Sequence, residues 1–157
     1  FQPVARGMKQ ARVGAAEAVH RLFLVADEKH AATAFRIAGH HLLQQRQQQA
    51  PLGRVGVLEL IGNAVRYGAG QPVSIELKCH EEAAMIQVLD RGPGIPPDQM
   101  ESVFRPFYRV ESSRSVTTGG SGLGLAIARQ LAEANGWKIE LLAREGGGTE
   151  ARLTIPG

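Results

Sequence analysis

The 157-residue chain is 43% hydrophobic, enough for one domain with a real core and too short for two comfortable ones. Its net charge of +3 and pI near 9.4 suit an anionic ligand, but no Lys/Arg block or basic-aromatic alternation marks a nucleic-acid stripe. A single cysteine, Cys79, excludes an internal disulfide framework and a cysteine metal cluster and fits a reducing compartment, while no run approaches the roughly 18 apolar residues of a membrane span and no signal peptide opens the chain.

Residues 1–50 are the least legible part. They mix helix formers with two short apolar runs, and read as a connector with a first strand and helix. A strand around Phe35 to Ile37 is expected to join the sheet, and the glutamine-rich "LLQQRQQQ" reads as a solvated helix face or connector. The chain starts at Phe1 rather than at methionine, as a piece of a longer protein would.

From Val55 the signals become dense. "VGVLELIGNAVRYG" places Val57, Leu60, Ile61, Ala64 and Val65 on one helical face, with Gly68 and Gly70 as its stop. "PVSIELKC" and "AAMIQVLD" alternate as strands and form a hairpin across Glu81 and Glu82. "PDQMESVF" reads as a short helix with Asp98 in its first turn. A polar, glycine-rich loop leads to "LGLAIARQLAEANG", a periodic helix closed by Asn135 and Gly136. "WKIELLARE" and "TEARLTIPG", joined by Gly146 to Gly148, make a second hairpin. This order predicts an α+β two-layer sandwich, with helices on one face of a mixed, largely antiparallel sheet.

Three motifs carry chemistry. Glu59 and Asn63 stand four apart on one helix face, with Arg66 and Tyr67 about a turn further on. A carboxylate and an amide oxygen facing a cleft can hold a hydrated Mg²⁺ that completes its shell with water and phosphate. Asp90 ends a strand and is followed by Gly92 and Gly94. A buried carboxylate there would accept from an exocyclic amine and tell adenine from guanine, with the glycines letting the ring approach the backbone. Last, Gly119, Gly120, Gly122 and Gly124 open a helix, whose bare N–H groups and positive dipole end can face phosphate.

In combination these motifs resemble the catalytic ATP-binding domain of a bacterial sensor histidine kinase, of the Bergerat-type fold shared with gyrase, the heat-shock chaperone and the mismatch-repair ATPases. "ELIGNAVRYG" is similar to the N box, "DRGPGI" to the G1 box, "VFRPFYR" to the F box and "GGSGLGLAIA" to the G2 box. The resemblance runs from about Val55 to Ile155 within a domain placed at residues 51–157, and implies ATP and Mg²⁺ as cofactors. It implies that Asn63 coordinates Mg²⁺ beside Glu59, that Arg66 reaches a phosphate and that Tyr67 packs beside the adenine. Asp90 would accept from the adenine amine, with Gly92, Gly94 and Ile95 lining the base pocket. Phe104 and Phe107 would anchor the hinge of a lid at about residues 96–121, simple core packing being the alternative for both. Arg109, with Arg114, would swing onto the phosphates or remain exposed loop residues. Gly120, Gly122, Leu123 and Gly124 would form the phosphate-facing end.

The resemblance also implies partners: a dimerisation domain carrying the phosphoacceptor histidine, and a response regulator. The chain would be a cytoplasmic domain of a homodimeric parent anchored in the inner membrane, without membrane contact of its own. None of His20, His30, His40, His41 and His80 has the acidic residue and proline expected after an acceptor histidine, so the acceptor is expected outside this chain. Glu59 departs from the asparagine common in histidine kinases. Glutamate there resembles gyrase, the chaperone and serine kinases of the anti-sigma type, where it can act as a general base in ATP hydrolysis or hydroxyl phosphorylation, a tolerated substitution being the alternative. A nucleotide-gated protein-binding module without phosphotransfer is the alternative outside enzymes.

Overall fold

Strands form where alternate side chains are apolar, because a pleated chain sends successive residues to opposite faces. In the structure, a computed structural model that describes residues 18–24, 50–79, 83–110 and 120–156, five such segments pair. They are β1 (Ala18–Leu24), β2 (Val73–Cys79), β3 (Ala83–Leu89), β4 (Lys138–Ala143) and β5 (Thr149–Pro156). Their order across the sheet is β1-β2-β3-β5-β4, and every described pairing is antiparallel. Both expected hairpins, β2–β3 and β4–β5, are present, while the turn at Glu81 and Glu82 lies outside the described residues.

The register gathers the core. Ile75, Val88, Ala151 and Leu141 form one row across the sheet, and Leu77, Ile86, Leu153 and Ile139 the next. Among the described residues two helices cover this face, α1 (Ala50–Tyr67) and α2 (Gly124–Ala134). From α1, Val57, Leu60, Ile61 and Ala64 are buried against the sheet. Val65, expected on the same stripe, is 38% exposed, because a step of about 100° carries it past the edge that Ala64 marks. Helix α1 also starts at Ala50 rather than Val55; Pro51 is tolerated because a first-turn N–H has no acceptor within the helix.

The closures follow from main-chain geometry. After α1, Ala69 and Gly70 both take positive φ and turn the chain into β2. Past α2, the Gly136 N–H donates to the Glu133 carbonyl and the Trp137 N–H to that of Ala132, with Gly136 at φ +70°, and Trp137 then packs on the core. "PDQMESVF" forms not one helix but two short 3₁₀ turns, Pro97–Gln99 and Ser102–Phe104. Neither has a side-chain cap, and Pro106 holds Arg105 extended, so no α-helix propagates. Strand β1 occupies "AVHRLFL" and pairs with the whole of β2; the strand expected at Phe35 to Ile37 lies outside the described residues.

The opposite face of the sheet is polar. Glu76, Gln87, Arg152 and Glu140 share one row, and Gln87 is only 5% exposed. Gln87 Nε2 donates to Glu150 Oε1 at 2.6 Å, and Arg152 Nε donates to the same oxygen at 2.9 Å. Burial pushes the Glu150 carboxyl up, but hydrogen bonds from Gln87 and Arg152 and the charges of Arg152 and Lys78 outweigh it, leaving the group below its ordinary value.

Two predictions follow from this packing. A Cβ on Gly56 would stand 3.8 Å from the Ala128 carbonyl oxygen and 3.9 Å from Leu131 Cβ, ordinary contact distances where α1 crosses α2. Gly56→Ala is therefore expected to raise the unfolding free energy by about 1 kcal/mol in urea titration, and a loss would contradict this packing. Glu150, lowered in the folded state, contributes stability above its ordinary value of 4.5 that is lost as pH falls through the lower folded value. Glu150→Gln should cost no more than about 1 kcal/mol at neutral pH, and the gap from the parent chain should close on acidification.

Candidate functional site

A carboxylate can be buried only if something replaces its water. Asp90, 7% exposed and next after β3, meets this with main-chain donors: its Oδ1 accepts from the Gly92 N–H at 2.8 Å and the Thr149 N–H at 3.1 Å. Its own N–H donates to the Thr149 carbonyl at 3.0 Å, and its carbonyl accepts from Arg144 Nη1. Among the described residues nothing donates to Oδ2, so one oxygen is fixed and the other is available. Gly92 is required by contact rather than by the cavity, since a Cβ there would lie 2.0 Å from the Tyr67 carbonyl oxygen. Gly94 takes φ +78° and continues the turn.

Asp90 faces a cavity of about 390 Å³ between the end of α1, the Asp90–Ile95 turn, the segment Tyr108–Val110 and the start of α2. Its floor is the sheet at Val88, Leu141, Thr149 and Ala151. Of the residues singled out in the sequence, Asn63, Arg66 and Tyr67 line it from α1, and Asp90, Gly94 and Ile95 from the turn. Arg109, Gly122 and Gly124 line the remaining side. Glu59, Gly92, Phe107, Gly120 and Leu123 do not reach the wall, and Gly119 and Arg114 lie outside the described residues.

Several of those off the wall stand directly behind it. A Cβ on Gly124 would come within 2.6 Å of Glu59 Oε2 and 3.4 Å of Asn63 Nδ2, so both α1 side chains converge on the first residue of α2. Asn63 Nδ2 is buried and has no hydrogen-bond partner. A Cβ on Gly120 would meet Arg66 Nη1 at 2.9 Å, which places that guanidinium against the glycine-rich segment. Leu123 caps α2 without a side-chain hydrogen bond, and leaves the first N–H groups of the helix uncapped by side chains.

The two phenylalanines part company. Phe104 is buried beneath Arg129, whose guanidinium lies 4.7 Å from the ring centroid and pairs with Glu101 and Glu133. The hydrogen bond with Glu101 leads the effects that raise Arg129 above its ordinary value. Phe107 is 72% exposed at φ +64°, which rules out core packing for its ring. Its N–H donates to the Gly122 carbonyl at 2.9 Å, so the two ends of the intervening loop are tied to each other. Sequence reasoning missed Thr149, Tyr108 and the apolar floor. Thr149 becomes visible only through the β3–β5 register, which sets Leu89 opposite Glu150.

Comparison with known proteins gives one consistent result. Residues 49–157 match the family described as "Histidine kinase-, DNA gyrase B-, and HSP90-like ATPase". The chain is 44% identical over 101 residues to the sensor histidine kinase RppB of Synechocystis, covering 64% of this chain and 22% of that protein. It is 42% identical over 100 residues to the sensor histidine kinase WalK of Bacillus subtilis, covering 62% and 16%. With the sensor-like histidine kinase SenX3 of Mycolicibacterium smegmatis it shares 35% over 147 residues, covering 89% and 36%. The chain thus spans only about a sixth to a third of the length of these relatives. Among solved structures, the mycobacterial sensor histidine kinase MprB superposes with a TM-score of 0.60 at 22% identity over 89% of this chain and 98% of that one. The catalytic domain of histidine kinase ThkA gives 0.58 at 18% identity, over 87% and 97%. The chain belongs to the histidine kinase-, DNA gyrase B- and HSP90-like ATPase family, as an ATP-binding domain with the fold of histidine kinase catalytic domains.

Proposed function

We propose that this chain is the ATP–Mg²⁺-binding catalytic domain of a sensor histidine kinase, transferring the γ-phosphoryl group to a histidine on a separate dimerisation domain of its parent. A response-regulator aspartate is the later recipient, and the parent is a membrane-anchored homodimer. No helix among the described residues is long and apolar enough to cross a membrane. The observation that carries the reading is Asp90, a buried carboxylate lining the cavity, with one oxygen held by the backbone and no donor to the other among the described residues. A carboxylate can accept from the amine of adenine, whereas the carbonyl of guanine at that position would face it acceptor to acceptor.

The remaining roles follow from the surrounding residues. Tyr67 and Ile95 flank the base; Arg66 and Arg109 supply positive charge toward the phosphates; the uncapped start of α2 at Gly124 offers N–H groups to the same oxygens. Asn63 lines the cavity near the Glu59 carboxylate, and its Oδ1 fits a hydrated Mg²⁺ held by few protein atoms and by phosphate, while its buried, unpaired Nδ2 can donate to a phosphate oxygen. Among the described residues no cluster of three or more His, Cys, Asp or Glu side chains gathers, and a metal shared with phosphate needs none. Bound ATP supplies the phosphoryl group; this chain positions it and offsets its charge. Glu59 supports a second reading, a general base toward water or a hydroxyl, because its carboxylate lies against the phosphate-facing end of α2.

Asp90→Asn keeps an acceptor for Gly92 and Thr149 while placing a donor at the open position. It is expected to lower ATP affinity about tenfold or more in calorimetry and to leave stability within about 1 kcal/mol. Asn63→Ala, which removes an amide without a partner, should lower Mg²⁺–ATP affinity while stability holds or rises. Unchanged ATP affinity in both variants would overturn the site. Incubated with the parent's phosphoacceptor domain and γ-labelled ATP, the chain should yield an acid-labile, alkali-stable phosphoprotein. An acid-stable product would favour the hydroxyl kinase instead.

A further inference from the structure

The segment from Arg144 to Gly148, between β4 and β5, is pressed against Asp90 more closely than any side chain would allow. A Cβ on Gly148 would lie 2.2 Å from the Asp90 carbonyl oxygen and 3.0 Å from Arg91 Cα. Gly146, Gly147 and Gly148 all take positive φ, and the turn closes through the Arg144 N–H to the Gly148 carbonyl and the Gly147 N–H to the Arg144 carbonyl, both at 3.2 Å. From the base of this turn the Arg144 side chain reaches over and donates Nη1 to the Asp90 carbonyl. The residue after the turn, Thr149, donates to Asp90 Oδ1.

We propose that Arg144 is a positioning residue for the Asp90 carboxylate, holding its main chain from the β4–β5 turn; the functional consequence rests on the reading of Asp90 as the adenine acceptor. Arg144 is half-buried and does not line the cavity, so any effect on the ligand must pass through Asp90. A guanidinium is suited to this because its planar fork holds a carbonyl in a fixed direction. Arg91 provides the internal control. It stitches the same two loops from the other side, Nη1 to the Glu145 carbonyl at 3.3 Å, but is exposed and leaves Asp90 untouched.

The experiment compares the parent chain with Arg144→Met, Arg144→Lys and Arg91→Met. Two readouts are taken: ATP and GTP affinity by calorimetry, and amide hydrogen exchange at Gly92 and Thr149 without nucleotide. In Arg144→Met the preference for ATP over GTP should fall about tenfold, with partial recovery in Arg144→Lys and none of the loss in Arg91→Met. The Gly92 and Thr149 amides should exchange faster while those in the middle of β3 keep their protection. Equal losses of ATP and GTP affinity, or the same loss in Arg91→Met, would mean general loosening and would overturn the proposal. If the parent binds neither nucleotide, the functional reading fails by itself; unchanged exchange at Gly92 and Thr149 in Arg144→Met would then reject the hold on Asp90, and faster exchange would uphold it.

Discussion

The paired N–H groups of Gly92 and Thr149 on Asp90 Oδ1 fix how the rest of this domain comes together. A carboxylate withdrawn from water costs several kcal/mol unless donors replace the solvent. Here the donors come from two chain segments far apart in sequence, so satisfying the charge also joins the end of β3 to the start of β5. The turn that results admits no Cβ at Gly92, where the Tyr67 carbonyl approaches, and none at Gly148, where the Asp90 carbonyl does. The end of α1, the turn after β3 and the turn before β5 are thereby locked into one block. One side of the cavity, at Tyr67, Asp90, Gly94 and Thr149, is that block.

The side lined by Tyr108, Arg109, Val110 and Gly122 is built differently. Phe107 and Gly122 are joined by a single main-chain hydrogen bond, and the aromatic residue is held in the left-handed region, where a bulky side chain is disfavoured by about 1–2 kcal/mol. The strain is sustained by rigid neighbours on either side. Phe104 is anchored under Arg129 of α2, and Gly122 leads directly into that helix. Both stems of the loop therefore belong to the α2 side of the domain, whatever the loop itself does.

Much of this was legible in the sequence because a single period decided it. The apolar spacing of α1 and α2 and the alternation of β2 to β5 are local signals, and Gly136 marks a helix end by its own backbone freedom. Signals that depend on a partner were not legible. Strand β1 is weakly patterned and is defined by its pairing with β2; Thr149 and Arg144 acquire meaning only through the β3–β5 register. The apolar spacing over the two 3₁₀ turns fits a helix equally well, and Pro106 and the missing caps decide between them. The exposed ring of Phe107 follows from one dihedral that no composition reveals.

Buried polar atoms without partners sharpen the distinction between fold and site. Gln87 Oε1, Trp137 Nε1 and Asn63 Nδ2 all lack one. Gln87 sits within the polar sheet face and Trp137 packs against the apolar core at Ala132, Ile139 and Leu153, so neither meets the large cavity. Asn63 alone of the three lines it, with Glu59 and the start of α2 converging on the same point. An unpaired buried amide costs about 1–3 kcal/mol, a cost that packing does not recover here. On the proposed reading an oxygen of the nucleotide or of the water around its metal supplies the missing acceptor, so part of the binding energy relieves a defect of the empty domain. Binding and stability then become one linked quantity, with the folded state favoured by RT ln(1 + [ligand]/Kd). The destabilised end of α1 is thus the place where this fold is least complete by itself and most complete with its ligand.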